Sequence, residues 1–222
     1  MMKYEYRSER FWYNLAKRIG DILLSLIALI ILSPLLLLTA LLIKIEDRGP
    51  VFFRQKRCTK NGKVFEILKF RSMIVDAEKG GETIPCRTGD PRITHVGRVI
   101  RKLRIDEFPQ IINVLKGDMS IVGPRPERVE HVEAYTKEIP EFSYRLRVKG
   151  GLTGYAQIYG KYNTSPYDKL RLDLQYIEKQ SLLMDLKLIL LTVKIMFVPE
   201  STEGFTQKRS EQIAEEAKTK EQ

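Results

Sequence analysis

Residues 22–43 carry the sequence ILLSLIALIILSPLLLLTALLI, a run that contains no charged side chain. About 20 such residues are enough to cross the hydrocarbon core of a bilayer as a helix. The run is long for the apolar part of a secretory signal peptide, and no small-residue cleavage site follows it. We therefore predict a membrane helix over residues 21–44.

Ser33-Pro34 lies near the middle of this run and leaves two arrangements open. Proline removes a backbone N–H and clashes with the preceding turn, so a kink is expected there. Both flanks are basic, so the distribution of Lys and Arg gives no clear orientation across the membrane. A helix that breaks at Ser33 and Pro34 would return to one face and keep both flanks in the cytoplasm. A single kinked span is the other arrangement, because spanning helices tolerate proline.

The whole chain is basic, with 38 Lys and Arg against 28 Asp and Glu and a formal net charge of +10. Such a charge favours polyanionic partners, namely anionic lipid, phosphorylated substrates or nucleic acid. The sequence patterns of RNP and zinc-finger proteins are absent, which argues against nucleic acid. Cys58 and Cys86 form no CxxC pair, and His95 and His131 stand alone, so we expect neither a disulfide scaffold nor a zinc site.

The rest of the chain divides into a lead-in, one domain and a tail. Residues 1–20 are basic and aromatic, which is typical of an interfacial segment. Residues 45–198 alternate short apolar segments with Gly and Pro, which predicts a small, mainly helical α+β domain with a β-hairpin at Asn61-Gly62. Residues 181–198 place two lysines on one helix face, a pattern shared by interfacial amphipathic helices and buried core helices. Residues 199–222 are polar and are expected to be a mobile tail.

The central chemical feature is RKLRIDEFP at residues 101–109, where two adjacent carboxylates precede a proline-led helix. We expect this helix to run through Leu115 and to stop near Gly117. The positive end of its dipole favours the ionised forms of Asp106 and Glu107. An ionised Asp can act as a nucleophile, and a neighbouring Glu can hold a divalent cation. Acidic residues at helix starts are also common caps, so the pair alone does not establish chemistry.

Basic side chains suited to phosphate lie near this pair and in two other segments. In Gly123-Pro124-Arg125-Pro126, two prolines restrict the backbone of the arginine between them and so the direction of its planar guanidinium. A structural bridge to a carboxylate would use the same geometry. A stretch that contains three glycines, Lys149–Gln157, is interpreted as a flexible substrate loop or a cluster of turns. The candidate phosphate- and substrate-binding residues are Lys69, Arg71, Arg101, Arg104 and Arg125.

Taken together, these segments resemble the bacterial sugar transferase family, the small monotopic phosphoglycosyl transferases of capsule and exopolysaccharide pathways. The resemblance runs from about Lys17 to Phe197 and rests on several motifs in the same order. These motifs are Lys17-Arg18-Ile19-Gly20-Asp21, Ser33-Pro34, Lys69-Phe70-Arg71-Ser72-Met73, Asp106-Glu107 and the segment from Gly117 to Pro126.

The resemblance implies a reaction and its residues. Asp106 would attack the β-phosphate of a UDP-sugar, release UMP and then pass the sugar phosphate to polyprenyl (undecaprenyl) phosphate. Glu107, with Asp106, would hold Mg²⁺. Lys69, Arg101 and Arg125 match family positions that are expected to bind phosphate. The Ser33-Pro34 break would make the membrane helix re-entrant.

The resemblance also implies partners, a location and a pathway step. The domain would lie on the cytoplasmic face of the bacterial inner membrane and catalyse the first membrane step of capsule, exopolysaccharide or O-antigen assembly. Downstream glycosyltransferases are expected partners, and the family allows a homodimer. Two departures touch loops that set specificity: Leu103-Arg104-Ile105 stands where many relatives carry Thr-Ser-Leu, and Gly150 where Pro is frequent. A non-catalytic membrane-anchored scaffold is the alternative, and the intact Asp106, Glu107 and Arg125 argue against it.

Overall fold

The computed structural model describes residues 10–75, 77, 89–160 and 164–196. The predicted tail and the first nine residues of the predicted lead-in lie outside the described residues. The predicted mainly helical α+β class with a short hairpin is confirmed. The helices are α1 (Phe11–Glu46), α2 (His95–Lys102), α3 (Gln110–Lys116), α4 (Val129–Glu138), α5 (Tyr155–Tyr159), α6 (Pro166–Lys179) and α7 (Leu182–Met196). The strands are β1 (Phe52–Cys58), β2 (Val64–Phe70), β3 (Ser120–Val122) and β4 (Gly151–Thr153).

The hairpin forms where the sequence predicts it. β1 and β2 pair antiparallel, with Phe52 opposite Phe70. The turn needs left-handed backbone at Asn61 (φ 58°) and Gly62 (φ 73°). Asn and Gly adopt this conformation more readily than other residues, which is why the dipeptide is a reliable turn signal.

Helix α3 also follows the prediction, since it begins after Pro109 and ends at Gly117, which has a φ of 89°. Asn113 fixes this helix to the hairpin from a buried position. Its Oδ1 accepts a hydrogen bond from Leu68 N at 2.9 Å, and its Nδ2 donates to Glu66 O at 2.8 Å. One amide therefore satisfies two backbone groups of β2.

The predicted substrate loop or turn cluster at Lys149–Gln157 instead contains β4 and the start of α5. β4 pairs in parallel with β3. A Cβ on Gly151 would lie 2.1 Å from Gly123 N, so the backbones approach closely only because neither residue has a side chain. These glycines therefore serve close packing rather than flexibility.

Helix α1 is one uninterrupted helix that begins at Phe11, well before residue 21, and contains Pro34. By its length and composition alone it could cross a membrane. Pro34 has no N–H to donate to Ile30 O, the acceptor four residues earlier. Ser33 Oγ donates to that carbonyl at 2.8 Å instead. The predicted break into two arms at Ser33-Pro34 is not confirmed, because the helix continues past the proline.

The first part of α1 is attached to the domain through polar contacts. Arg18 donates to Val114 O at 2.6 Å and to Leu115 O at 2.7 Å, two carbonyls in the last turn of α3. Asp21 is buried, and its Oδ1 accepts from Ile121 N at 3.0 Å. Two charged residues of the motif at residues 17–21, Arg18 and Asp21, thus dock the helix on the domain.

A buried carboxylate, Asp185, joins α1 to α6 and α7. Its Oδ2 accepts from Lys17 Nζ at 2.8 Å and from Tyr13 Oη at 2.9 Å. Its Oδ1 accepts from Tyr176 Oη at 2.8 Å. This network explains why residues 11–20 are helical and packed on the domain rather than only an interfacial lead-in.

The last part of α1 returns to the same domain. Ile43 is buried in a cluster with Phe70 and Ile100. Glu46 caps the start of α2, with its Oε2 accepting from Val96 N at 2.9 Å. Both ends of α1 therefore pack against the folded domain.

We predict that Asn113→Ala lowers the free energy of unfolding by about 2–4 kcal/mol, because two buried backbone groups lose their partner. Thermal unfolding in detergent measures this effect. Lys116→Ala, on the exposed side of the same helix, is the control and should change stability by no more than about 0.5 kcal/mol. Equal melting temperatures for the two variants would contradict the bridging role.

Candidate active site

The acidic pair lies in a 3₁₀ turn at Ile105–Glu107 that leads into α3. Ile105 is buried in the cluster around Ile43, which anchors the turn. The preceding Arg104 has left-handed backbone (φ 56°), so the chain turns sharply before the pair. Asp106 and Glu107 are therefore held at the surface of the domain with their side chains partly exposed.

Glu107 brings together two of the predicted basic residues. Lys69 Nζ, from β2, donates to Glu107 Oε1 at 2.7 Å. Arg125 forms a two-pronged pair, with Nη2 on Oε1 and Nη1 on Oε2 at 3.3 Å. The Arg125 side chain as a whole is 38% exposed. We name Lys69, Glu107 and Arg125 the Glu107 cluster.

The charges of this cluster determine the ionisation of its members. Burial alone would raise the pKa of Glu107, but Arg125 and Lys69 hold that pKa well below its usual range. The Glu107 carboxylate in turn raises the pKa of Arg125. Burial lowers the pKa of Lys69, and Glu107 opposes this shift. At neutral pH the Glu107 carboxylate is therefore ionised and paired with both cations.

Asp106 behaves differently from its neighbour. Burial raises the pKa of Asp106, and the Glu107 charge adds to that shift, whereas Lys69, Arg101 and Arg125 oppose it. The net direction is opposite to the one expected from the helix dipole, because burial outweighs the short α3. Arg101, in the last turn of α2, opposes the effect of burial on the pKa of Asp106, and its contact with phosphate stays a prediction.

Two predicted phosphate-binding residues have other surroundings. Arg71 is 7% exposed, and its Nη2 donates to Asp47 O at 2.5 Å and lies 3.3 Å from Asp47 Oδ2. It therefore ties the end of α1 to the segment after β2. Arg104 is exposed at the start of the 3₁₀ turn. Contact of either residue with phosphate stays a prediction.

The loop that carries Arg125 is held by groups that the sequence did not reveal. The carbonyls of residues 125–127 accept hydrogen bonds in turn from Arg145 Nη2 at 2.9 Å, Arg57 Nη1 at 3.2 Å and Cys58 N at 2.9 Å. The prolines on either side of Arg125 lack N–H groups, so these carbonyls are the available backbone anchors. The Pro-Arg-Pro pattern predicts a rigid backbone, but it does not indicate which groups donate hydrogen bonds to that backbone.

Arg57 adds a cation to the site that sequence analysis missed. It is partly buried, and its Nη2 donates to Gln55 Oε1 at 2.5 Å. Burial and the charge of Arg125 lower the pKa of Arg57 to about 10, while Glu127 and Glu107 oppose this shift. Its charge therefore adds to the positive potential around Arg125.

Glu127 forms a second charged cluster directly behind this loop. Lys169 Nζ lies 2.6 Å from Glu127 Oε1, and Arg145 Nη1 lies 3.7 Å from the same oxygen. Burial alone would raise the pKa of Glu127, but Arg145 and Lys169 lower it to about 2. Glu127 is 8% exposed, which suits a structural role.

The predicted Mg²⁺ site can be compared with the donors present. Asp106 and Glu107 offer hard carboxylate oxygens, and Mg²⁺ commonly uses one or two carboxylates together with substrate phosphates. Glu107 Oε2 accepts one long bond from Arg125, so it keeps room for a second partner. The described part of the chain contains no group of three or more His, Cys, Asp and Glu residues that could hold a metal. These donors fit Mg²⁺ only if a phosphorylated substrate completes its coordination.

The profile of the bacterial sugar transferase family matches residues 12–199, which include α1, the hairpin and both charged clusters. The chain belongs to this family. The predicted resemblance is thereby confirmed. A UDP-N-acetylgalactosamine-undecaprenyl-phosphate N-acetylgalactosaminephosphotransferase from Aeromonas hydrophila is 46% identical over 82% of this chain. A UDP-glucose:undecaprenyl-phosphate glucose-1-phosphate transferase from Caulobacter vibrioides is 42% identical over 85% of this chain.

This sugar transferase covers a different share of the length of each relative. The chain spans 44% of the Aeromonas protein and 72% of the Caulobacter protein. It spans 88% of a third relative, the uncharacterized sugar transferase EpsL of Bacillus subtilis, at 40% identity. The larger relatives therefore carry additional sequence beyond the region shared with this chain.

We predict that Glu127 makes the fold sensitive to acid. Its pKa is depressed from 4.5 to about 2, so its contribution is complete above pH 4.5 and is lost as the pH falls towards 2. A shift of this size corresponds to about 3 kcal/mol at most. Melting temperatures measured between pH 6 and 2 should fall less steeply for Glu127→Gln than for the unmodified chain.

Glu66→Gln is the control for this experiment, because Glu66 is exposed and pairs with Arg54 only at 3.4 Å. Its melting profile should follow that of the unmodified chain. If Glu127→Gln and Glu66→Gln had the same pH dependence, the buried pairing of Glu127 would not stabilise the fold.

Proposed function

We propose that this family member transfers a sugar-1-phosphate from a UDP-sugar to polyprenyl phosphate and releases UMP. The observation that carries the proposal is the position of Asp106 beside the Glu107 cluster. The printed names of the Aeromonas and Caulobacter relatives, which describe undecaprenyl-phosphate sugar phosphotransferases, support the same reaction class.

In the first step, an Asp106 carboxylate oxygen attacks the β-phosphorus of the UDP-sugar. A new P–O bond forms to Asp106, and the bond from that phosphorus to the bridging oxygen breaks. The electron pair leaves with the bridging oxygen, so UMP departs and a phosphosugar remains on the carboxylate. This is nucleophilic catalysis through a covalent intermediate.

In the second step, a phosphate oxygen of polyprenyl phosphate attacks the same phosphorus. The bond to Asp106 breaks, the free carboxylate is restored, and a polyprenyl diphosphosugar is released. The acceptor takes the place of UMP, so the two substrates can use the same set of cations in turn. A ping-pong kinetic pattern follows from this order.

Positive charge is needed because a carboxylate that attacks a diphosphate meets like-charge repulsion. Arg125 is paired with Glu107 yet more than a third exposed, so it can turn spare N–H groups towards phosphate oxygens. Lys69 and Arg101 oppose the effect of burial on the pKa of Asp106, which favours the ionised nucleophile. When bound, Mg²⁺ would offset further charge on the diphosphate, held by Asp106, Glu107 and the substrate.

We further propose that α1 re-enters the membrane with a bend at Pro34. In a straight helix Arg18 and Ile43 would lie about 38 Å apart at 1.5 Å per residue. Their partners near Leu115 and Ile105 are joined by ten residues of helix and tight turn, which span about 15–20 Å. A bend brings the two ends of α1 closer to these neighbouring partners and leaves the apolar middle to enter the bilayer from the cytoplasmic face.

Helix α7 offers a second contact with the membrane surface. Its inner face is packed in the core through Leu188. The opposite face exposes apolar side chains at helical spacing together with Lys187 and Lys194. Apolar side chains beside lysines suit the boundary between acyl chains and anionic headgroups. The exposed apolar residues of this face are Leu183, Leu186, Leu190 and Val193.

The scaffold alternative and the identity of the sugar are both decided by one assay. We predict that purified protein in detergent, with Mg²⁺ and polyprenyl phosphate, releases UMP from one or two members of a panel of UDP-sugars. Asp106→Asn should reduce this rate on the order of 10⁴-fold, because the nucleophile is lost. Chelation with EDTA should abolish it.

Asp106→Asn also carries a stability control. Because burial raises the pKa of Asp106, the ionised side chain is disfavoured in the fold at neutral pH, and the neutral amide should melt at the same or a higher temperature. Asp118→Asn, at a surface carboxylate 3.5 Å from Lys63, should retain activity. Release of UDP instead of UMP would contradict the mechanism, and the absence of any nucleotide product would favour the scaffold.

The re-entrant arrangement predicts that both flanks of α1 lie on the cytoplasmic side. Single cysteines at Asn14 and Arg48, both exposed, can be introduced after Cys58 and Cys86 are replaced by serine. A membrane-impermeant maleimide should then label neither site in intact spheroplasts and both in inverted vesicles. Labelling of one site in each preparation would mean that the helix spans the membrane.

A further inference from the structure

Arg145 and Asp173 form an ion pair that is almost completely buried. Arg145 is 2% exposed and Asp173 is 1% exposed. Arg145 Nε donates to Asp173 Oδ2 at 3.0 Å, and Nη2 donates to the same oxygen at 2.7 Å. Burying two charges is a weak source of stability, since the loss of hydration offsets the attraction. A buried pair of this kind therefore invites a second role.

The second role is visible in the remaining contacts of the guanidinium. Nη2 also donates to Arg125 O at 2.9 Å, while Nη1 lies 3.7 Å from Glu127 Oε1. The Arg145 guanidinium thus contacts both the Asp173 carboxylate on α6 and the backbone carbonyl of Arg125, the residue that pairs with Glu107. The phenyl ring of Phe142 covers the guanidinium at 4.9 Å.

The hydrogen bond from Arg145 to the Arg125 carbonyl affects the direction in which the Arg125 side chain points. The flanking prolines restrict the backbone on both sides, so fixing the Arg125 carbonyl fixes the origin of its side chain. Arg145 is too deeply buried to touch a substrate itself. Its influence on a ligand can pass only through the groups that it holds.

We propose that Arg145, fixed by Asp173, is a positioning residue that aims the Arg125 guanidinium at the phosphate groups of the substrate. The role rests on the proposed function, because it requires Arg125 to bind the nucleotide diphosphate. It adds a specific source of preorganisation: the cation is held in its binding direction before the ligand arrives.

The first test is the binding of UDP by isothermal titration calorimetry in detergent. Arg145→Lys keeps the positive charge beside Asp173. The single ammonium group of lysine cannot donate to both Asp173 and Arg125 O in the way that the planar guanidinium does. We expect a dissociation constant for UDP about 5- to 20-fold weaker than that of the unmodified chain, from the loss of one charged hydrogen bond.

A double-mutant cycle separates positioning from general destabilisation. Arg125→Lys removes the two-pronged contact that Arg145 is proposed to direct. In that background, Arg145→Lys should weaken UDP binding by less than about 2-fold, because coupled sites are not additive. Equal losses in both backgrounds would overturn the proposal.

A matched pair of carboxylate variants controls for folding. Asp173→Asn and Asp185→Asn each neutralise a buried carboxylate with a cationic partner, at 2.7 Å from Arg145 and 2.8 Å from Lys17 respectively. If both variants lower the melting temperature but only Asp173→Asn weakens UDP binding, positioning is supported. If UDP binding follows melting temperature in both, the pair is merely structural and the proposal is overturned.

The outcomes also separate this inference from the proposed function. Coupling of Arg145 to Arg125 in UDP binding, without UMP release from any UDP-sugar, would contradict the transferase reaction and support the positioning role. UMP release with additive effects in the cycle would support the reaction and contradict positioning. A folded chain that neither binds UDP nor releases UMP would contradict both.

Discussion

The attraction of Lys69 and Arg125 to Glu107 is the interaction on which the site depends. It joins the end of the hairpin, the 3₁₀ turn and the Pro-Arg-Pro loop, which are far apart along the chain. Burial opposes an ionised Glu107, and the two cations reverse that effect. The same carboxylate keeps two cations close together that would otherwise repel each other. Without it, these two positive charges would not be held together beside Asp106.

Helix α1 belongs to this arrangement, because both of its ends contact the domain. Arg18 binds the last carbonyls of α3, the helix that follows the acidic pair, and Ile43 packs in the cluster that holds the 3₁₀ turn. Both ends of α1 therefore support the elements that position Asp106 and Glu107. In the proposed re-entrant arrangement, a substrate with its phosphate at the membrane surface would meet a site built on the same helix that enters the bilayer.

Local signals in the sequence predicted local structure well. Asn61-Gly62 predicted the hairpin, and Pro109 and Gly117 predicted the bounds of α3, because each conformation depends on the residue itself. Long-range partners were not predictable in this way. Nothing in the sequence indicated that Arg71 contacts Asp47 or that Arg145 holds Arg125. A charged residue in a sequence does not indicate which opposite charge the fold brings to it.

Asp106 and Glu107 show how adjacent carboxylates can acquire different roles. Glu107 has two direct cationic partners, and its pKa falls, whereas the pKa of Asp106 rises because burial exceeds the more distant attraction of Lys69 and Arg101. Glu107 already accepts hydrogen bonds from Lys69 and Arg125, so its oxygens are less available for attack on phosphorus. The less neutralised carboxylate gains more when it forms a bond to phosphorus. The asymmetry therefore supports the proposed roles, nucleophilic attack for Asp106 and organisation of the surrounding cations for Glu107.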